Sequence, residues 1–313
     1  GVLAVCGLSA QAQDFPTKPV RILTPFPVGS GPEGLLRLVA DKLSRTWGKP
    51  VVVENKPGGN GFIAIDTFKR GATDGHDLIQ LDGVHLSAYP HLFKKLPYDT
   101  KADFEPLLPL FKTYFFVAVS TDSPYKTVAD LVADAKANPG KLNYGSWSVG
   151  NPVHLGSALF ESVTGTDMQH VIYKETSMLY TGVANGELSF ALGTNATAGA
   201  MHRAGKLRYL AVAAPKRVSA FPNVPTIGES GGPAGFEVSG WTTIAAPKGL
   251  PKNVTDKIQR DIDKALAEPD VREKFATFAY EPFILNRAQF NAYIQAESTR
   301  FGAIIKKAQV SLD

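Results

Sequence analysis

Cysteine is almost missing from this chain: Cys6 stands alone in 313 residues. A disulfide framework is thereby excluded, and so is a zinc site built on cysteine. Six histidines are thin material for a structural metal centre, so no metal and no cofactor are expected. No apolar stretch approaches the roughly 18 residues that read as a membrane-crossing helix. Neither sign of charge is concentrated. The 33 Lys and Arg and 29 Asp and Glu leave a net +4, with the basic residues scattered, so there is no nucleic-acid footprint. No internal repeat or low-complexity tract stands out. What remains is an ordinary folded composition, 44% apolar and 20% charged, which argues against disorder. The 22 Pro and 29 Gly punctuate many short elements. The length suits two α/β domains better than one.

Residues 1–12 carry no charge and end in Ala10-Gln-Ala12, an A-x-A cleavage pattern. They read as the back half of a secretory signal peptide, cut near Ala12. A mature, exported, periplasmic chain is expected to follow.

From there the pattern alternates. Val20–Thr24 reads as a strand, 25–34 as a glycine- and proline-rich loop, and Leu35, Leu36, Val39, Leu43 and Trp47 as one face of a helix. Val51–Val53 is an all-apolar run of the kind found in a parallel sheet, and 77–81 is a third strand. This rhythm predicts a doubly wound sheet. A second α/β half follows, with strands at 114–119, 142–144, 171–173, 188–192 and 207–212 and a second Gly/Ser-rich loop at 145–152. The strand at 239–246 and the helices after 251 look like a return, the last helix covering about 287–308. Domain 1 is therefore expected at 13–118 plus 240–313 and domain 2 at 119–239, with strands near 117 and 240 crossing between them and the ligand cleft lying between the domains.

Gly29-Ser-Gly31-Pro-Glu-Gly34 is a literal G-x-G-x-x-G, and Glu54 follows 20 residues later at the end of a strand. This is the dinucleotide fingerprint, and an NAD-dependent oxidoreductase is the rival reading. Pro25-Phe-Pro27 lengthens the turn and Pro32 removes an N–H near the helix start, both against it. The loop still offers backbone N–H groups at a helix N-terminus, where an anion binds through orphan donors and the positive dipole end. A carboxylate suits such a loop as well as a phosphate.

Three segments, 17–27, 50–61 and 90–99, resemble the Bug family, the extracytoplasmic solute-binding proteins of tripartite tricarboxylate transporters. They read Thr-Lys-Pro-Val-Arg-Ile-Leu-Thr-Pro-Phe-Pro, Pro-Val-Val-Val-Glu-Asn-Lys-Pro-Gly-Gly-Asn-Gly and Pro-His-Leu-Phe-Lys-Lys-Leu-Pro-Tyr-Asp. Further matches at 137–144, 204–208, 220–226 and 267–272 keep the family's order over the mature chain. The resemblance implies an α/β fold, a two-lobed type II periplasmic binding protein in which each lobe is a sheet flanked by helices. It implies a monomer that closes on a small carboxylate and presents the closed form to a membrane permease pair; a sensor kinase is the alternative partner. No catalysis is implied.

The ligand-binding residues that follow from the resemblance are Phe26, Val28, Gly29, Ser30, Gly31 and Glu33 on the first loop. Ser146, Trp147, Ser148, Asn151 and His154 come from the second loop. Asp82 and Val84, Thr176 and Ser177, and Thr194 and Asn195 complete the walls. Glu33 could face solvent, bind water or, if protonated, donate to the ligand. His154 could donate to a carboxylate or bond only to backbone, and Asp82 could pair with His85. Ser148 with His154 could suggest nucleophilic catalysis, but there is no G-x-S-x-G elbow and no orienting acid. Gly193-Thr194 stands where many members have Asp-Asn, so nothing there receives a ligand ammonium and an amino-acid ligand is disfavoured. Trp147 brings a large π-surface to the second loop, with Phe26, Tyr89 and Tyr180 expected close by. An aromatic dicarboxylate such as terephthalate follows from these rings; a citrate-like aliphatic acid is the alternative if Trp147 instead packs between helices.

Overall fold

The computed structural model describes residues 14–312. The expected signal remnant at 1–12 lies outside the described residues. In chain order the elements are β1 (Val20–Thr24), α1 (Gly31–Trp47), β2 (Val51–Asn55), α2 (Phe62–Lys69), β3 (Asp77–Asp82), α3 (Gly83–Ser87), α4 (Tyr89–Leu92), β4 (Phe104–Tyr114) and β5 (Phe116–Ser120). There follow α5 (Val128–Ala137), β6 (Asn143–Ser146), α6 (Pro152–Thr164), β7 (Gln169–Ile172), α7 (Thr176–Ala184), β8 (Ala191–Gly193), α8 (Asn195–Arg203) and β9 (Leu207–Val212). The chain closes with β10 (Ser239–Pro247), α9 (Lys252–Leu266), α10 (Pro269–Phe278), β11 (Tyr280–Glu281) and α11 (Arg287–Ala308).

The fold is two-lobed. The first lobe is built on a six-stranded sheet in the order β11-β4-β10-β3-β1-β2. The second contains β8-β5-β9 and the parallel pair β6-β7, joined through a bridge between Tyr144 and Phe190. The doubly wound expectation holds only for β1, β2 and β3, which are parallel; β10 and β4 run antiparallel to their neighbours. The all-apolar Val51–Val53 sits on the sheet edge, and Val52 is exposed. Strand β4 was not foreseen, because Pro106 and Pro109 interrupt its pattern; register shifts against β10 absorb the irregularity.

Apolar side chains cover both faces of the first sheet. Leu35, Leu36, Val39 and Leu43 of α1 pack on one face with Ile258 and Ile262 of α9. Ile65, Phe68, Trp241 and Phe290 fill the other. A further cluster joins the lobes: Leu155 of α6 lies with Val84, Tyr89 and Leu92 from the first lobe and Phe301 and Ile304 from α11.

The chain passes between the sheets beside Phe115 and Val238, which are hydrogen-bonded to each other and to Ala213 (Phe115 N–H to Val238 O 3.2 Å, Ala213 N–H to Phe115 O 2.8 Å, Val238 N–H to Ala213 O 3.0 Å). All of β5 pairs with β8 and β9. The boundary expected at 118/119 therefore cuts through a strand, since the turn from one sheet to the other comes at Phe115.

Candidate functional site

The first loop joins β1 to α1 and ties itself down. Phe26 N–H donates to Thr24 Oγ1 (3.2 Å), and Asn55 Nδ2 donates to Phe26 O (3.0 Å). The Ser30 N–H and hydroxyl both donate to Pro27 O, at 3.2 and 2.9 Å. Gly29 holds φ +84°, a left-handed value that side chains disfavour. Its N–H donates to Glu33 Oε2 (3.1 Å), while Glu33 Oε1 takes the Arg37 guanidinium. Glu33 is 1% exposed. None of the three roles considered for it describes this geometry: it is an internal brace, held by its own loop and by the next helical turn. Val28 stands out at the rim, 73% exposed.

Gly31 begins α1 where the Tyr280 hydroxyl leaves no room for a Cβ, and Ala196 Cβ from the second lobe would lie 3.6 Å from such a Cβ. The first turn of α1 thus lies against the first turn of α8. In the second lobe Asn195 Nδ2 donates to Thr277 O of the first lobe (3.3 Å), and Tyr209 donates to Asn195 Oδ1 (3.2 Å). Thr194 caps α8, its N–H bonded to Thr197 Oγ1 (3.2 Å). Tyr280, Thr277 and Ala196 carried no signal in the sequence, because only the approach of the lobes gives them a part.

The second loop is a knot around Asn151, the N-cap of α6. Its Oδ1 accepts from Val153 and His154 N–H (2.8 and 3.2 Å). Its Nδ2 donates to Ser146 Oγ (3.1 Å) and to Ser148 O. Ser146 Oγ donates to Ser148 O (2.9 Å) and meets His170 Nε2 at 2.6 Å. His154 Nδ1 accepts from Gly150 N–H (2.9 Å), and its ring stacks on His170 at 4.2 Å. Burial, with His170 close by, pushes His154 down to about 4. The side chains of Ser146, Asn151 and His154 therefore shape the loop from beneath. His154 Nδ1 is committed to Gly150, which leaves Ser148 without a base on that atom. Trp147 is half-buried and packs against both apolar clusters of the second lobe.

The remaining candidates divide. Thr176 is half-buried and Ser177 exposed at the start of α7; Tyr173 N–H, just before, donates to Ser146 O (2.9 Å) and joins that wall to the second loop. Asp82 and His85 form a capping box at α3: Asp82 Oδ1 takes Val84 N–H (3.2 Å) and His85 Nδ1 takes Asp82 N–H (3.1 Å). Burial pushes the Asp82 carboxyl up and the His85 imidazole down. Val84 is buried in the interlobe cluster. Tyr89 packs among Phe62, His85 and Phe93 in a different cluster from Trp147, whereas Tyr180, fully buried with its hydroxyl on Leu192 O (2.8 Å), belongs to one of the clusters that Trp147 packs against.

The dinucleotide fingerprint meets a different use of its residues. Glu54 is paired with Arg21 (3.1 Å) and Lys56 (3.0 Å). Gly31 makes way for Tyr280, and a Cβ at Gly34 would meet nothing within 4 Å, so it is not a close helix–strand contact. Among the described residues no group of three or more His, Cys, Asp or Glu could hold a metal ion. Among them, too, no helix is long and apolar enough to cross a membrane.

Two lobes, with the chain passing between their sheets beside Phe115 and Val238 and the first turns of α1 and α8 brought together, have the build of a solute-binding receptor of the periplasmic binding protein class. The model of the tripartite tricarboxylate transporter family receptor matches residues 35–310, and the chain belongs to that family. It is 33% identical over 311 residues to a UPF0065 protein in the gbd 5' region of Cupriavidus necator, covering 97% of this chain and 92% of that one. Two solved structures are similar. R. palustris Rpa4515 with adipate has a TM-score of 0.84 and 28% identity, covering 95% of this chain and 99% of that one. MatC from Rhodopseudomonas palustris with bound malate has a TM-score of 0.78 and 26% identity, covering 93% and 100%.

Proposed function

We propose that this chain is a non-catalytic periplasmic receptor that captures a small dicarboxylate between its lobes and delivers it to the permease pair of a tripartite transporter. The approach of the first turns of α1 and α8 carries the reading, because a helix N-terminus presents N–H groups and a positive dipole end to an anion. The donors proposed for the ligand are the N–H groups of Val28 and Gly31 on the first loop and those of Ser148 and Val149 on the second. The walls are completed by Thr176, Thr194 and Asn195. Glu33 is turned back onto Arg37 and Asp82 into its own cap, so neither offers a counter-charge to a ligand ammonium. Adipate and malate, the ligands of the two similar structures, are both dicarboxylates.

Within that class the aromatic acid terephthalate is the candidate that uses Trp147, whose half-exposed ring would add about 0.5–1.5 kcal/mol by stacking. An aliphatic acid is the second reading, favoured by the commitment of the other part of that ring to the core. Thermal unfolding with terephthalate, adipate, malate, citrate, aspartate and NAD tests both. A dicarboxylate at 100 times its Kd should add about 2.7 kcal/mol. A response to NAD alone would overturn the receptor reading, a response to aspartate alone would overturn the exclusion of a ligand amine, and a response to adipate without terephthalate would remove the aromatic reading.

A further inference from the structure

The second loop rests on a histidine that works only when uncharged. His154 is the third residue of α6 and is buried. Its Nδ1 accepts the Gly150 N–H at 2.9 Å, so the ring proton sits on Nε2. Gly150 holds φ +82° and lies where the loop touches the first lobe: a Cβ there would come within 2.8 Å of Leu312 and 3.0 Å of Leu92. The same ring lies 13° from parallel to His170, at 4.2 Å. Because the Ser146 hydroxyl donates to Ser148 O, His170 Nε2 must donate to Ser146 Oγ. The two rings therefore hold both ends of the loop.

The surroundings offer a charged His154 nothing. His170 of β7 and Tyr144 of β6 are neutral neighbours. Glu161 of α6 lines the same cavity as His154, with its carboxyl pushed up by burial and its oxygens taken by the Tyr144 hydroxyl (3.1 Å) and Met168 N–H (2.7 Å). Lys307 of α11, the group that faces the cavity from the first lobe, is a like charge. A proton on Nδ1 would confront the Gly150 N–H directly, donor against donor.

We propose that His154 is a proton-sensitive latch: its neutral ring holds residues 146–151 in their binding shape, and protonation releases the loop and the carboxylate it faces. This rests on the reading that the second loop meets the ligand. With the latched ring near 4 and a released ring near its ordinary 6.5, the loop-opening equilibrium shifts by about twentyfold between pH 7 and pH 5.

Two measurements on the full chain decide it. The first follows the histidine ring signals and the Gly150 amide by NMR without ligand, from pH 7.5 to 4. The Gly150 amide is expected to move with the titration of His154; a Gly150 amide that stays fixed while His154 titrates overturns the latch, whatever the ligand. The second is calorimetric titration of terephthalate and adipate at pH 7 and 5, comparing the wild-type chain with His154→Asn. The Asn amide oxygen keeps an acceptor for Gly150 and does not titrate. Each chain is compared with its own neutral value, so the ligand's own ionisation cancels. The variant is expected to lose several-fold less affinity on acidification; an equal loss rejects the proposal. If neither acid binds at pH 7, these two ligands are excluded, malate and citrate take their place in the same titration, and the NMR measurement still decides the latch.

Discussion

Single side chains in this protein take their roles from what stands opposite them. Glu33 lies on a loop that looked ready for a ligand, yet its carboxylate faces Gly29 and Arg37. Gly31 reads as part of a nucleotide fingerprint, yet its missing Cβ makes room for Tyr280. The Tyr280 ring cannot swing away, because it is buried and stacked flat on Phe111 at 3.8 Å. Gly31→Ala is therefore expected to destabilise the fold by about 1–3 kcal/mol, the usual cost of overpacking. Adding Tyr280→Phe, which removes the clashing oxygen, should recover most of that in urea unfolding. A single variant as stable as the wild type would contradict the contact. The first loop and the Asn151–His154 stretch were legible as a candidate site; which atoms point outward was not, because a polar side chain turns to whichever partner the fold brings near.

Elements were readable where local chemistry defines them. The last helix was placed at about 287–308 and α11 spans Arg287–Ala308, with Asn286 and Gln289 forming its capping box. The sequence ends the second loop at 152, and α6 starts there, at Pro152, behind the Asn151 cap. This cap does two jobs, since the same amide also ties Ser146 and Ser148. Asn151→Ala should cost at least the 0.5–2 kcal/mol typical of a lost N-cap, about 1 kcal/mol in the mean. Asn151→Asp should restore the helix cap without the two Nδ2 bonds, and so regain only part of the melting temperature. Full recovery by Asp would mean that the loop bonds add nothing. Strand β4 and the short helices α3 and α4 carry little signal, because prolines interrupt β4 and α4 and because α3 and α4, at five and four residues, are too short to show a helical period.

At the scale of the whole molecule, the lobes meet at two places, through Asn195 and Thr277 and through Leu155 and α11. Acid should weaken the assembly. Burial holds His85, His154 and His170 below the ordinary histidine value. Folding therefore favours their neutral forms. That contribution is complete above about pH 6.5 and is lost as the pH falls toward the folded-state values. For His154 alone, a fall from 6.5 to about 4 corresponds to about 3 kcal/mol. Urea unfolding at pH 7.5 and 4.5 should show the loss, reduced in the His154→Asn chain; equal stability at both values would contradict burial of neutral rings.

The lone cysteine, the scattered charge and the missing long apolar run had already removed disulfide scaffolds, nucleic-acid binders and membrane-spanning helices from consideration. Periodicity, caps and turn residues then determined most helices and strands, because those signals are local. The chain by itself also carried the family, through short segments kept in order along its length. What the tertiary structure decided is the direction of each strand, the crossing at Phe115 and Val238, and the inward or outward turn of Glu33, Asn151 and His154. The strand directions, the crossing and the place of Gly31 against Tyr280 depend on partners far along the chain, and no local pattern encodes a contact that exists only once two lobes have come together; Glu33, Asn151 and His154 turn to partners within five residues, whose choice among several nearby polar groups is made by the packed loop.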